Sequence, residues 1–310
     1  MQVSAIVLLG LLIGGCAVSD TVRKTTDTVA KTTDKLVHEV GFTGDGLKKV
    51  VAVIGLRQWS EFEKYNFSDR FQKTLSQYLD GDCDDLIVLT PDSPGPASGF
   101  TQLPRLPSGD IDNYALTVLG RQFGLNAVVA GSLNDVGLRD EKEGFLWTRE
   151  THYKVRVSIR VEAFDTWTGT NIVDENFSRT FEISEMEYRQ IQEGFKEFFP
   201  DLEETFASLL ADIATRICYE ISDQLWHGYI LSDSGGTLLI SSGSGIGLRP
   251  GDKLNVFGDG RVIEGVNGHR FFIPGPEVGV VEVVQVEEGT AVAEPVSGSG
   301  FESGRAVRKR

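Results

Sequence analysis

The sequence predicts an α+β fold: a mixed sheet with flanking helices, followed by a small all-β, barrel-like domain. Three observations lead there. The first is the stretch Tyr153 to Ala163, which alternates apolar and polar residues and so makes a half-buried strand, its dry face formed by Tyr153, Val155, Val157, Ile159, Val161 and Ala163. Phe164 to Thr170 then turns the chain, with Asp165 able to accept turn N–H groups and Gly169 able to take positive φ, and Asn171 to Phe181 returns as the antiparallel partner. The second is the run Asp201 to Trp226. There Leu202, Phe206, Leu209, Leu210, Ile213, Ile217, Ile221 and Leu225 recur at spacings of three and four, a broad helical stripe suited to covering that dry face. The third is a change of composition after Gly228. The last 83 residues hold 17 of the 35 glycines and break into short β-rich runs at 237–241, 253–257, 270–273, 278–286 and 290–296, the pattern of a small barrel.

A chain of 310 residues with 40% hydrophobic content has room for two globular domains plus extensions. Its net charge of -15 argues against a nucleic-acid binder, because a polyanion needs a local excess of Lys and Arg that occurs only at Arg305 to Arg310, read here as a solvated end. Val3 to Ile13 is an apolar run shorter than the roughly 20 residues that span a bilayer, but long enough for the h-region of a secretory signal. It ends in Leu12-Ile-Gly-Gly-Cys16, where small residues let a lipoprotein signal peptidase approach and the Cys16 thiol can receive a diacylglycerol. The stretch looks like a bacterial lipobox. It departs from the usual pattern in having Ile13 where Leu is commoner and no Lys or Arg before the apolar run; an ordinary cleaved signal with a bystander cysteine is the alternative. By resemblance to bacterial sorting rules, the absence of Asp at Ala17 favours the outer membrane with the protein facing the periplasm. Cys83 and Cys218 remain, either as a disulfide in an oxidising compartment or as two separate thiols, with Cys218 on the buried side of a helix.

Residues 1–15 thus read as a lipoprotein signal peptide, and residues 16–47 as a tether. Asp20-Thr-Val-Arg-Lys-Thr-Thr, Asp27-Thr-Val-Ala-Lys-Thr-Thr and Asp34-Lys-Leu-Val repeat with a period of seven, but Thr at most seam positions gives too little apolar area for a stable coiled coil. Residues 48–228 form the α+β domain. Lys48 to Leu56 is a continuous apolar run, hence a strand buried on both faces; Asn66 to Leu79 carries a helical stripe; Leu86 to Thr90 is a second strand, parallel to the first across a right-handed connection. Pro91 to Asp110 holds five of the ten prolines and can form neither helix nor ladder. Its apolar Phe100, Leu103 and Leu106 make it a candidate partner-docking loop, with a plain surface loop as the alternative. A helix over Ile111 to Phe123, stopped by Gly124, leads to a buried strand over Asn126 to Leu133, then a charged turn at Asp140 to Gly144 and the hairpin. Glu185 to Phe198 is helical as far as Pro200. Residues 229–310 are the barrel-like domain.

Several of these stretches together carry a resemblance. Gly124-Leu-Asn-Ala-Val-Val-Ala-Gly-Ser132, followed by Arg160-Val-Glu-Ala-Phe-Asp165 and Thr168-Gly169, resembles the TolB N-terminal/CsgG-like superfamily of bacterial envelope proteins. Gly247-Leu-Arg-Pro-Gly-Asp-Lys-Leu-Asn-Val256, with Val278-Gly-Val-Val-Glu-Val-Val284 and Gly304-Arg-Ala-Val-Arg308, is similar to the small β module that follows such a domain in FlgT-like flagellar proteins. The resemblance covers Lys48 to Arg310 and implies an assembly or scaffolding role facing the periplasm. In the family pattern Asp165, Thr168 and Gly169 are structural turn residues.

The expected function is therefore a non-catalytic, outer-membrane-anchored lipoprotein of an envelope assembly. Its expected partners are envelope proteins of unspecified identity, the membrane through the lipid anchor and, in a homo-oligomer, further copies of the chain; no nucleic acid and no cofactor are expected. One alternative is a CsgG-like secretion pore. Tyr153 to Ala163 alternates as a lipid-facing strand must, but Val173, Glu175, Phe177, Arg179 and Phe181 put two charges on the face that would meet lipid. A soluble periplasmic protein of flagellar type is another. An enzyme is not expected: His38, His152, His227 and His269 lie far apart and the cysteines are too few for a zinc site. Gly243-Ser-Gly-Ile-Gly247 imitates a phosphate loop, but Pro250-Gly251 closes a turn where a helix would have to start. Trp59 and Trp147 are binding anchors or rim packing.

Overall fold

The computed structural model describes residues 45–58, 66–89, 103–145, 147, 150–193 and 200–310. Cys16, Trp59, Phe100 and almost all of the tether lie outside them. Residues 44–310 form one compact unit. Its first part is a five-stranded mixed sheet ordered β2-β1-β3-β4-β5. Strand β1 (Lys49–Arg57) runs parallel to both β2 (Leu86–Leu89) and β3 (Ala127–Glu143), reached through helices α1 (Phe67–Asp82) and α2 (Asn113–Phe123). Strands β3, β4 (Glu150–Asp165) and β5 (Asn171–Ile183) then form an antiparallel meander.

Because side chains alternate along a strand, the sheet sorts its residues onto two faces. One face is covered by α1 and by α4 (Pro200–Ser222): Val51, Val53, Val129, Val157, Ile159 and Val161 meet Phe71, Leu75, Leu209, Leu210, Ile213 and Ile217 in one buried cluster. The rings of Phe67 and Phe206 lie 5.2 Å apart in it. The other face gathers Ala52, Ile54, Leu116, Leu125, Val128, Ala130 and Phe164 beneath α2. A disulfide joins Cys83, just past α1, to Cys218 in α4, with Cα atoms 5.8 Å apart. The two charges on β5 that weighed against a lipid-facing strand pair with α4 at the surface. There Glu175 accepts from Arg216 at 2.8 Å and Arg179 donates to Asp212.

Three boundaries differ most from the sequence reading. Asp140 to Glu143 is not a turn but the end of a 17-residue β3, whose ladder continues to the pair Glu143–Glu150. Both faces of this end are wet, so no apolar alternation marks it; Lys154 holds it across the strands, 2.6 Å from Glu141 and 3.5 Å from Glu143. Helix α4 ends at Ser222 instead of Trp226, because the Trp226 N–H donates to the Asp45 carboxylate at 2.9 Å and the indole is wholly buried in the next core. Helix α3 (Glu185–Gln192) starts on a capping box of Ser184 and Glu187 and is followed by Glu193 as its cap; residues 194–199 lie outside the described residues.

The second part is a closed barrel ordered β11-β12-β7-β6-β13-β8. Its strands are β6 (Gly228–Ser234), β7 (Thr237–Ile240), β8 (Lys253–Phe257), β11 (Glu277–Val286), β12 (Ala291–Gly298) and β13 (Ala306–Lys309). Leu238, Ile240, Leu254, Val256, Val281, Val283, Ala293 and Val307 fill the interior, joined by Leu47 from the chain before β1 and by Trp226. Strands β6 and β13 had no counterpart in the sequence reading, nor did β9 (Arg261–Glu264), which pairs with β10 (Arg270–Ile273) as a separate hairpin beside the barrel.

Candidate functional site

The face of the sheet that α2 covers is left open past that helix, and polar residues occupy it. Ser132 of β3 stands opposite Arg160 of β4, Ala130 opposite Glu162, and Glu162 opposite Asp174 of β5. Arg160 reaches diagonally to Asp174 in a two-pronged pair, Nε to Oδ1 at 2.7 Å and Nη2 to Oδ2 at 2.8 Å, and lies 3.5 Å from Glu162. The hydrogen bonds to Asp174 raise the Arg160 guanidinium and hold the Asp174 carboxyl below its usual range. Glu162 is pushed up, first by burial and then by the Asp174 charge, with Arg160 opposing.

Two more segments close this face into a cleft of about 440 Å³. Arg57, at the end of β1 beside Ser132, forms one wall with Arg105, whose backbone bridges to Ile111 and whose Nη1 donates to the Gly109 carbonyl at 2.7 Å. Burial lowers the Arg105 guanidinium, and the positive charge of Arg57 lowers it further. The opposite wall comes from the β9–β10 hairpin, which brings Asn267, His269 and Phe271 to the cleft.

A buried asparagine fixes that hairpin to the turn of the sheet, and a second ties the sheet to the barrel. Asn113, at the start of α2, donates from Nδ2 to the carbonyls of Gly169 (3.0 Å) and Arg270 (2.7 Å), and its Oδ1 accepts from the Arg270 N–H at 3.3 Å. The Phe272 N–H donates to the Thr168 carbonyl at 2.9 Å, so turn and hairpin run side by side. Asn126, at the start of β3, accepts from the Val50 N–H at 2.9 Å and donates to the His227 carbonyl at 2.8 Å, joining β1 to the entry of the barrel. Next to it the His227 ring stacks on Trp167 (5.6 Å between centroids) and meets Tyr229 edge-on. The Thr166 hydroxyl spends its one proton on the Leu125 carbonyl, so at 3.3 Å it can only accept from His227 Nε2; this places the imidazole proton on Nε2.

The residues that the sequence singled out are scattered. Asp165, Thr168 and Gly169 build the β4–β5 turn: the Asp165 carboxylate accepts from the Trp167 and Thr168 N–H groups at 3.3 and 2.8 Å, and Gly169 has φ +77°. A Cβ on Gly169 would stand 2.9 Å from the Asn113 carbonyl oxygen. Of the docking loop, Leu103 is half-buried against the core under α2, so part of its apolar surface is used within the chain; Leu106 is also half-buried, its N–H donating to the Asp110 carbonyl at 2.9 Å. Trp147 is 96% exposed at the tip of the β3–β4 hairpin. Gly243 opens a barrel turn against which the Glu287 and Thr290 carbonyls pack closely. Among the described residues no cluster of His, Cys, Asp and Glu is placed to hold a metal ion.

No family model matches the chain, and no curated protein matches it at a significant level. Solved structures with a related arrangement include the hypothetical protein CT253 from Chlamydia trachomatis, with 19% identity and a TM-score of 0.36 over 56% of this chain and 98% of that one. A PelC dodecamer from Paraburkholderia phytofirmans has 13% identity and a TM-score of 0.31 over 54% and 85%. A minor lipoprotein from Acinetobacter baumannii has 12% identity and a TM-score of 0.26 over 56% and 92%. At such scores these likenesses establish neither common function nor common partners.

Proposed function

We propose that this chain is a non-catalytic lipoprotein of the bacterial cell envelope, anchored in the outer membrane through Cys16 and acting in assembly or scaffolding through its periplasmic body. The observation that carries this reading is the apolar run Val3 to Ile13 ending in Leu12-Ile-Gly-Gly-Cys16. The Cys83–Cys218 disulfide supports it, since such bonds persist in oxidising compartments. No helix among the described residues is long and apolar enough to cross a membrane. A barrel and a mixed sheet joined by buried polar contacts make one compact unit with surface to present to other envelope proteins.

Intact mass spectrometry of the membrane-extracted protein tests the reading. A mature form that begins at Cys16, carries a diacylglycerol and acyl increment and loses it in Cys16→Ser is expected, together with recovery of an envelope protein on crosslinking. An unmodified mass in the soluble fraction overturns the anchor and leaves a soluble periplasmic protein.

A further inference from the structure

We infer that the cleft between the open sheet face and the β9–β10 hairpin is a binding site for an oxyanion, the carboxylate or phosphate group of a polar ligand, held by Arg57 and Arg105. The inference rests on how the charges in the cleft are matched. Arg160 is already committed to Asp174 through two hydrogen bonds and lies beside Glu162. Asp110 accepts from the neutral Ser108 hydroxyl at 2.9 Å, and its charge reaches Arg105 without an ion-pair contact among the described residues. Among the described residues, neither Arg57 nor Arg105 forms an ion pair, yet both line the same cleft and Arg105 feels the charge of Arg57.

Glu162 and Asp110 line the same cleft and partly offset the repulsion that Arg105 feels from Arg57, but neither carboxylate is in ion-pair contact with either guanidinium, and an oxyanion between the two arginines would accept from both. Guanidinium geometry suits two-pronged contact with carboxylate and phosphate alike. At about 440 Å³ the cleft holds more than a bare ion and falls within the range of small-ligand pockets. Ser132 and Asn267 offer neutral polar groups for the rest of the ligand, and Phe271 offers a flat wall. The chain as a whole carries a net charge of -15, so general attraction cannot gather anions here; any binding must come from the local arginines.

Titration calorimetry of the full chain with citrate and, separately, inorganic phosphate at fixed ionic strength tests this. Saturable binding of at least one probe is expected, weakened about tenfold or more in Arg57→Gln/Arg105→Gln, as loss of charge-assisted hydrogen bonds requires. The tighter probe identifies the group: citrate points to a carboxylate ligand, phosphate to a phosphorylated one. Arg249→Gln, on the barrel away from the cleft, should bind as the parent does. Thermal unfolding of the double variant checks that it is folded. Absence of binding to both probes overturns the inference, as does unchanged affinity in the folded double variant or an equal loss in Arg249→Gln. None of these outcomes bears on whether Cys16 is lipidated.

Discussion

Single side chains hold this molecule together where its two parts meet. Asn126 is 5% exposed and serves two backbone groups, the Val50 N–H and the His227 carbonyl. Asn126→Leu would leave both buried and unmatched, and we expect a loss of roughly 2–4 kcal/mol in urea unfolding, from two orphaned groups. His227 sets a pH dependence. Burial pushes its imidazole down to about 4, with Asp165 and Asp45 opposing and Arg308 and Arg121 adding to the fall. An unfolded histidine titrates near 6.5, so the folded state gains stability from His227 above that pH and loses it as pH falls toward 4, by an amount on the order of 3 kcal/mol. His227→Gln should flatten the decline of stability between pH 6.5 and 4; a parallel slope in parent and variant would refute the assignment. The turn chemistry of Asp165 and Gly169 was legible in the sequence because carboxylate and glycine at a strand end have few other uses. Asn113 and Asn126 were not, since a buried asparagine differs from an exposed one only in partners more than fifty residues away.

Among the elements, α1, α2 and the β4–β5 hairpin follow directly from apolar periodicity, because each has a face that must be dry, and β1 from an unbroken apolar run, because both its faces must be. Where that demand lapses, the pattern says nothing: the wet end of β3 and the exposed strand β9 carry no alternation to read, and β13 is too short to show one. The ionic contacts between β5 and α4 are of that surface kind. Arg179 and Asp212 are 44% and 50% exposed, so Arg179→Gln should shift stability by less than about 1 kcal/mol. The disulfide acts differently. It closes a loop of 135 residues between the end of α1 and α4, and its loss in Cys83→Ser/Cys218→Ser should lower unfolding free energy by about 5 kcal/mol through the freed chain entropy. A urea midpoint unchanged in the double variant would show that the helices are held by packing alone. The arginine cleft stayed hidden for a related reason. Arg160 and Glu162 lie on the polar phase of a strand that could be read, but Arg57 and Arg105 reach the same cavity from segments 48 residues apart, and no spacing rule links them.

Over the whole molecule, the barrel's core is not filled by its own strands alone. Leu47, before β1, and Trp226, after α4, enter its core, and the Lys48 N–H donates to the Ile246 carbonyl at 2.9 Å. Residues 45–310 should therefore melt in one calorimetric transition in spite of their two architectures, and a 229–310 fragment should be less stable than the same residues in the full chain. Two separated transitions would contradict this. The same arrangement governs how the body answers a pull. Tension applied to the chain at Asp45 along the axis of β1 meets a strand flanked on both sides by parallel neighbours, whose hydrogen bonds must slide together instead of parting one after another. A protein tugged from that end would resist as a clamp does, once Leu47 and the Lys48 N–H had been drawn away from the barrel.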